Sequence, residues 1–313
     1  MTRVQVEIER AAYGGEGVGR LPDGKVVFVR GALPGDTVDV EILVNKKKFA
    51  RGDAVALIKP GPGRFASACP HTDELGAGCG GCHFQSSHYV AEWEWTSAAA
   101  LEAFSRAGRL DLDGVDVQRF SSPAPEGYRR RLRVHIDAKG KVGFFRRGSH
   151  DIDGPASDCL VAHPTLRRAA EVLGLKGPGT ALLELDADED TVVVRAEVPK
   201  QDIPPLIAPI VGMKLQAGGA THTAGETQFD VEVRGLRRTL PVGVFTQANA
   251  RMNDILVTRA LTALKVQDGQ RVLELYCGAG NFTLDIARQG GSVWGLDVGG
   301  KAITAGQAAA ARH

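Results

Sequence analysis

Residues 1–60 alternate apolar and polar positions in short runs: Val4-Val6-Ile8, Val26 to Val29, Val38-Val40-Ile42-Val44 and Val55 to Ile58. A period of two places every second side chain on one face, the pattern of half-buried strands. Between the runs stand GGEGVG, PDG and LPGD, whose residues supply turn chemistry. About five short strands in this length predict a small closed barrel of the oligonucleotide-binding type. The period then changes. From Ser86 or Ser87 as N-cap, apolar residues Tyr89, Val90, Trp93, Ala98, Leu101 and Phe104 predict a helix to about Gly108, with Trp93 in the core. Residues 128–147 read as a hairpin turning at Ala138-Lys139-Gly140. Pro164 to Leu175 reads as a helix, and Ala181 to Leu185 and Thr191 to Val198 as strands around the acidic turn Asp186 to Asp190. Further strands fall in 214–240, which completes a mixed α/β central region.

The last seventy or so residues carry the sharpest pattern. Met252, Ile255, Leu256, Ala260 and Leu264 follow helical spacing. Val272, Leu273 and Leu275 then make a strand that ends at Gly278-Ala279-Gly280, followed by helical spacing from Asn281 to Arg288. A second apolar run, Val293 to Leu296, ends on Asp297. Strand, glycine turn, helix and strand form one unit of a doubly wound parallel sheet. The expected organisation is a multi-domain α/β chain: an oligonucleotide-binding-like barrel over 1–60, a mixed α/β domain over 61–240, and the start of a Rossmann-like domain over 241–313.

The 313 residues are 43% hydrophobic and 24% charged, as in ordinary globular proteins, and suffice for two or three cores. The N-terminus lacks the apolar stretch of a signal peptide, and no run of eighteen apolar residues occurs, so a cytoplasmic location without a membrane is expected. A net charge of +1 makes no global case for nucleic acid, so the case must be local. Residues 128–147 hold eight Lys or Arg against one Asp. Alternation puts Arg129, Arg131, Arg133 and His135 on one face, and Arg130, Leu132, Val134 and Ile136 on the other. Lys46, Lys47, Lys48 and Arg51 flank a turn of the barrel, and Arg20, Lys25 and Arg30 add to the charge. RNA phosphate contact is expected at Lys46, Lys47, Lys48, Arg129, Arg131 and Arg133.

Two motifs point to cofactors. Gly278 and Gly280 let a ligand approach the backbone, and Asp297 at the tip of the second strand can accept hydrogen bonds from ribose hydroxyls. A dinucleotide fingerprint wants Gly or Ala where Thr283 stands, which disfavours NAD and leaves S-adenosylmethionine as the nucleoside-containing alternative. Of five cysteines, Cys79-Gly80-Gly81-Cys82 bends two thiolates toward one point, with Cys69 before it and Asp158-Cys159-Leu160 well after it. Four cysteines suit structural zinc or an iron-sulfur cluster alike. His71, His83 and His88 beside them read as solvated loop residues, and Cys277 as a small packing residue.

The string ELYCGAGNFTL closely resembles the methionine-binding turn of the RNA 5-methyluridine methyltransferase family, written D/E-L-aromatic-C-G-x-G-N-F. Phe245-Thr246-Gln247-Ala248-Asn249 resembles the family's F-F/x-Q-V/x-N string, whose glutamine contacts the methyl donor. The resemblance implies S-adenosylmethionine held by Gln247, Tyr276, Gly278, Gly280, Asn281 and Asp297. It makes the barrel a TRAM domain and assigns Cys69, Cys79, Cys82 and Cys159 to a [4Fe-4S] cluster. One departure stands out: nine residues separate Cys69 from Cys79 where the family has five, so HTDELGAG is expected to bulge outward. Barrel plus cluster resembles the ribosomal-RNA branch and implies a cytoplasmic monomer acting on RNA, rRNA before tRNA. Uridine C5 is a poor nucleophile, so its methylation needs a thiolate at C6 and a base to remove the C5 proton. The family's cysteine nucleophile and glutamate base are expected beyond His313, which makes the chain alone inactive on this reading. The competing classes are a non-catalytic RNA-binding iron-sulfur protein and an electron-transfer protein.

Overall fold

A computed structural model describes residues 2–199 and 201–313. In chain order its strands and helices are β1 (Arg3–Ala11), β2 (Gly17–Arg20), β3 (Val26–Arg30), β4 (Thr37–Asn45), β5 (Phe49–Lys59), α1 (Tyr89–Gly108), β6 (Arg131–Ile136), β7 (Val142–Phe145), β8 (Ile152–Pro155) and α2 (Pro164–Glu171). They continue as β9 (Gly179–Leu185), β10 (Val192–Val198), β11 (Ile210–Ala217), β12 (Ala220–Gly225), β13 (Gln228–Val233), β14 (Leu236–Pro241), α3 (Ala250–Leu264), β15 (Arg271–Leu275), α4 (Thr283–Arg288), β16 (Ser292–Leu296) and α5 (Gly300–Ala310). Contacts divide the chain into two compact units. The first runs to Ser121 and includes Phe144–Gly154; the second is Ser122–Gly143 with Pro155–His313. The seam therefore falls inside 61–240, because the hairpin that follows Tyr128 sends its far end back to the cysteine segment.

In the first unit the expected barrel closes in the order β1-β2-β3-β5-β4. Val6, Ile8, Val27, Val29, Val38 and Val40 fill it from alternating positions. Asp36, in the LPGD turn, is fully buried; it accepts hydrogen bonds from the Leu33 and Gly61 amides at 2.7 and 2.9 Å and from Arg64 Nε at 2.9 Å. That carboxylate ties the turn to the segment leading to the cysteines.

Helix α1 has the expected range but differs at its cap and its face. His88 is the N-cap and its side chain makes no capping bond, while the Ser86 and Ser87 hydroxyls donate to the carbonyls of Asp73 and Phe84. Only Ala99 is fully buried, and Val90 and Phe104 are exposed, so the helix covers β1 with little of its apolar stripe. Trp93 is half-buried beneath the Arg119 guanidinium.

In the second unit β12-β11-β10-β9-β6 stand side by side, and β6 pairs with the start of β7. One face carries Leu132, Val134, Leu183, Val194, Met213 and Leu215 and is buried, with α2 lying over β9 and β10. Helix α2 ends at Glu171 rather than Leu175, since Gly174 adopts φ +66° and turns the chain while Leu173 and Leu175 stay buried. The hairpin β13-β14 packs Phe229 and Leu240 with Val244, Ala279 and Ala305, and its Val233 with Val257 and Leu261 of α3 and Ile286 of α4. It joins the core of the glycine-turn region although it precedes residue 241. Strands β15 and β16 pair in parallel, as expected for a doubly wound sheet.

Candidate functional site

The string Phe245 to Asn249 is held by main-chain and side-chain bonds from the basic segment Arg129 to Arg131. The Arg130 amide donates to Ala248 O at 2.9 Å, Arg129 bridges Asn249, and Arg131 Nη1 donates to Thr246 O at 3.2 Å. The Arg131 guanidinium lies 5.4 Å from the centre of the Phe245 ring, which is 74% exposed. A cation over one face and solvent on the other make Phe245 a platform on which a flat base could stack. Arg131 also faces Glu184 Oε1 at 3.4 Å. Glu184 is fully buried; burial pushes its pKa up to about 7, while the Gly243 amide, donating to Oε2 at 2.6 Å, and Arg131 pull it back.

Below Phe245 a cavity of ≈ 180 Å³ is lined by Gln247, Tyr276, Gly278, Asn281, Glu274 and Arg238, among others. Four of the six expected donor-binding residues thus converge on one space. Gly280 and Asp297 do not line it. Gly280 turns the chain at φ +83°, and the Asp297 carboxylate accepts from Gly278 N at 2.9 Å and Gly299 N at 2.7 Å, bonds that hold its pKa below the usual carboxylate range. Asn281 exchanges reciprocal amide bonds with buried Asn253 of α3, both at 2.9 Å, which fixes the turn to the helix. Tyr276 sits at φ +60° and is 86% exposed, a backbone conformation costly for a residue with a Cβ. Gly278, at φ +56°, has no atom within 4 Å of where a Cβ would stand, so its backbone is open to a ligand. Cys277 is buried; burial first, then Glu274 and Asp297, push its thiol pKa up, which suits packing rather than nucleophilic attack.

The site contains groups that periodicity did not reveal. Glu184 is a lone acid in the apolar run ALLEL, a signal that could have been taken as a buried charge with a partner. Arg238 occupies a buried position of β14, its Nε without a hydrogen-bond partner, and burial lowers its pKa against the pull of Asp285, Asp254 and Glu274. Arg131 appears in the sequence as one cation in a basic row, yet it turns to Glu184 and Phe245.

In the first unit Lys46, Lys47 and Lys48 are exposed at the β4-β5 turn. Arg51 stacks over Phe28 and Phe49 nearby, at 5.4 and 5.9 Å from the ring centres, and reaches Glu16 at 3.5 Å. Arg133 is exposed, while Arg129 lies half-buried beside the Tyr128 ring.

The cysteine segment forms a closed loop. Thr72 bridges Gly78, the Cys79 amide donates to His71 O at 2.7 Å, and Asp73 Oδ1 accepts from Leu75 and Ala77 amides, so HTDELGAG folds back on itself. Burial raises the Cys79 thiol pKa; the Gly81 amide lowers it, and Cys82 and Cys69 add to the rise, so these three thiols feel one another. A Cβ on Gly154 would stand 3.1 Å from Cys79 Sγ. Thiols, a sulfur-directed amide and close glycines suit thiolate ligation. Among the described residues, however, no set of three His, Cys, Asp or Glu side chains stands close enough to hold a metal ion. Cys159 belongs to the second unit. His83 and His88 are both exposed, as the sequence reading has them, and each still touches a neighbour: His83 occupies the space a Cβ on Gly15 would need, and the His88 ring lies tilted against Phe65 at 4.6 Å.

Residues 2–55 match the TRAM domain model, and residues 222–312 match the model of tRNA (Uracil-5-)-methyltransferase. A 23S rRNA (uracil(1939)-C(5))-methyltransferase RlmD of Cronobacter sakazakii is 33% identical over 309 residues, covering 90% of this chain and 67% of the relative. The chain belongs to the RNA (uracil-C5) methyltransferase family. The RlmD of Pectobacterium atrosepticum is 30% identical over 90% of this chain and 65% of its own length. The chain thus spans about two thirds of these curated methyltransferases. The Pyrococcus abyssi tRNA (uracil-54, C5)-methyltransferase, solved with S-adenosyl-L-homocysteine, superposes with a TM-score of 0.72 over 98% of this chain and 76% of that one. At 21% identity it shows that the methyltransferase fold is shared. Among the described residues no helix is long and apolar enough to cross a membrane.

Proposed function

We propose that this chain supplies the donor-binding and RNA-binding parts of an S-adenosylmethionine-dependent enzyme that methylates uridine C5 in RNA, with ribosomal RNA the favoured substrate and the cytoplasmic monomer the working form. The observation that carries the reading is the cavity under Phe245, where Gln247, Tyr276, Gly278 and Asn281 meet beside an exposed aromatic platform. These residues fit the donor: an open glycine backbone, two amides and an exposed tyrosine ring are partners for an amino-acid chain and a nucleoside. When bound, the donor supplies an electrophilic methyl group. Phe245 with Arg131 would stack the target base once it leaves its strand, and Gln247 would orient what lies between. Asp297, besides fixing the turn, retains lone pairs for ribose hydroxyls. Lys46, Lys47, Lys48, Arg129 and Arg133 would contact phosphates, and Arg131 would act at the base.

Calorimetric titration with S-adenosylhomocysteine tests the donor site. Binding is expected, and Gly278→Val, a β-branched residue forced to positive φ, should weaken it by about tenfold or more, the equivalent of roughly 1.4 kcal/mol. No binding by the parent chain, or equal binding by the variant, would sink the reading.

The cysteine set belongs to the same proposal. Cys69, Cys79, Cys82 and Cys159 would hold a [4Fe-4S] cluster, a reading supported by the influence of the Cys82 and Cys69 thiols on Cys79 and by Gly154 packed against its sulfur. Anaerobically purified protein is expected to be brown with about four irons per chain. Cys82→Ser should bleach it and Cys277→Ser should not; stoichiometric zinc without colour would overturn the assignment.

A further inference from the structure

The exposed face of the central sheet carries a second basic feature, separate from the cavity under Phe245. Strand register defines it. Arg133 pairs with Leu182, Leu182 with Arg195, Arg195 with Lys214, and Lys214 with Thr223, so one rung across β6, β9, β10, β11 and β12 carries three cations. Arg195 and Lys214 are direct neighbours in the parallel β10-β11 pair. Like charges set opposite each other destabilise a sheet. Among the described residues none of Arg195, Lys214 and Lys301 makes an ion pair, and the acid closest in effect to Arg195, buried Glu184, is already engaged by Gly243 and Arg131.

Beside this rung lies a recess of ≈ 240 Å³ lined by Arg195, Lys214, Gln216, Thr221, Val242 and Lys301. Lys301 comes from the first turn of α5, so two parts of the unit place their cations toward one space. Among the described residues no carboxylate lines it, and Glu197 on the next rung of β10 stays outside. It shares no residue with the cavity under Phe245. Three cations with a neutral amide and a hydroxyl are the partners of a phosphate group. We propose that this recess binds a phosphodiester of the RNA, and that the rung leading to Arg133 tracks the neighbouring phosphate. The chain would thus grip its substrate on the sheet face as well as at the base. The inference rests on RNA being the substrate. A row of open, single-file cations suits a polyanion better than a free phosphate, which the usual enclosed cradle would surround.

The test uses the whole chain and a labelled, uridine-containing single-stranded RNA, with affinity followed by fluorescence anisotropy across a potassium chloride series. Lys214→Gln/Lys301→Gln is expected to flatten the log-log salt slope by about 0.7 for each lost contact. Arginine at both positions should restore the slope, and Lys176→Gln, outside the recess, should leave the parent slope in place. Arg195→Gln/Lys301→Gln carries the same expectation, should the first pair fold poorly. If the parent binds RNA but both pairs keep its slope, the recess is no RNA site, and the proposed function still stands. If the parent binds no RNA at any salt, the proposed function fails and takes this inference with it. Inorganic phosphate is the remaining probe: phosphorus line broadening abolished by the double variant, with the RNA slope unchanged, would assign the recess to a free anion and overturn the proposal.

Discussion

Asp36→Ala is expected to lower the stability of the first unit by about 3–5 kcal/mol, the range for removing one partner of a buried ion pair. The side chain is fully buried and satisfies two main-chain amides and the Arg64 guanidinium, itself only 6% exposed. Its loss would strand a buried cation and two amide donors in one step. Urea unfolding followed by circular dichroism, together with hydrogen exchange of the barrel amides, measures the change. Removing both charges with Asp36→Ala/Arg64→Met should recover part of the loss, because an apolar pair no longer leaves a charge unpaired. An unchanged midpoint in the single variant would mean that water replaces the carboxylate and that this bond network does not close the barrel.

Glu184→Gln is expected to stabilise the second unit, and only above acidic pH. The folded-state pKa of Glu184, about 7, lies above that of an unfolded chain near 4.5. The folded state therefore holds a proton that the unfolded state releases, so wild-type stability falls as pH rises from about 4.5 to about 7 and then levels. Two and a half pKa units correspond to about 3 kcal/mol, an upper value because Arg131 loses its charged partner in the variant. Below pH 4.5 the two proteins should unfold alike; at pH 8 the variant should be the more stable. Parallel unfolding curves with a constant offset would show that Glu184 stays ionised when folded, held by Arg131 and Arg195.

Fold and site were legible to different depths. The barrel could be read because Val4-Val6-Ile8 and Val38-Val40-Ile42 alternate between glycine and proline turns, a pattern that local sterics and burial enforce together. The glycine turn could be read because Gly278 and Gly280 adopt positive φ, which few other residues permit. Pairing across long separations was not legible. Nothing local says that Arg131 will meet Glu184, 53 positions away, or that the Gly243 amide will donate to the same carboxylate. The role of β13-β14 was hidden for a related reason: alternation marks a hairpin but not which core receives its apolar side. In α1 the periodic residues outnumber the buried ones, since a stripe records what a helix can cover and not what is there to be covered.

The bond that anchors the Phe245 loop to Glu184 is donated by the main chain of Gly243, at φ +94°, where a Cβ would stand 2.9 Å from Arg195. No side-chain deletion at position 243 can remove that donor; only proline lacks it, and proline cannot adopt that φ. A survey of substitutions would therefore score position 243 as intolerant for reasons of shape and credit the hydrogen bond to Glu184 alone. Half of the contact would remain invisible to any method that changes one side chain at a time.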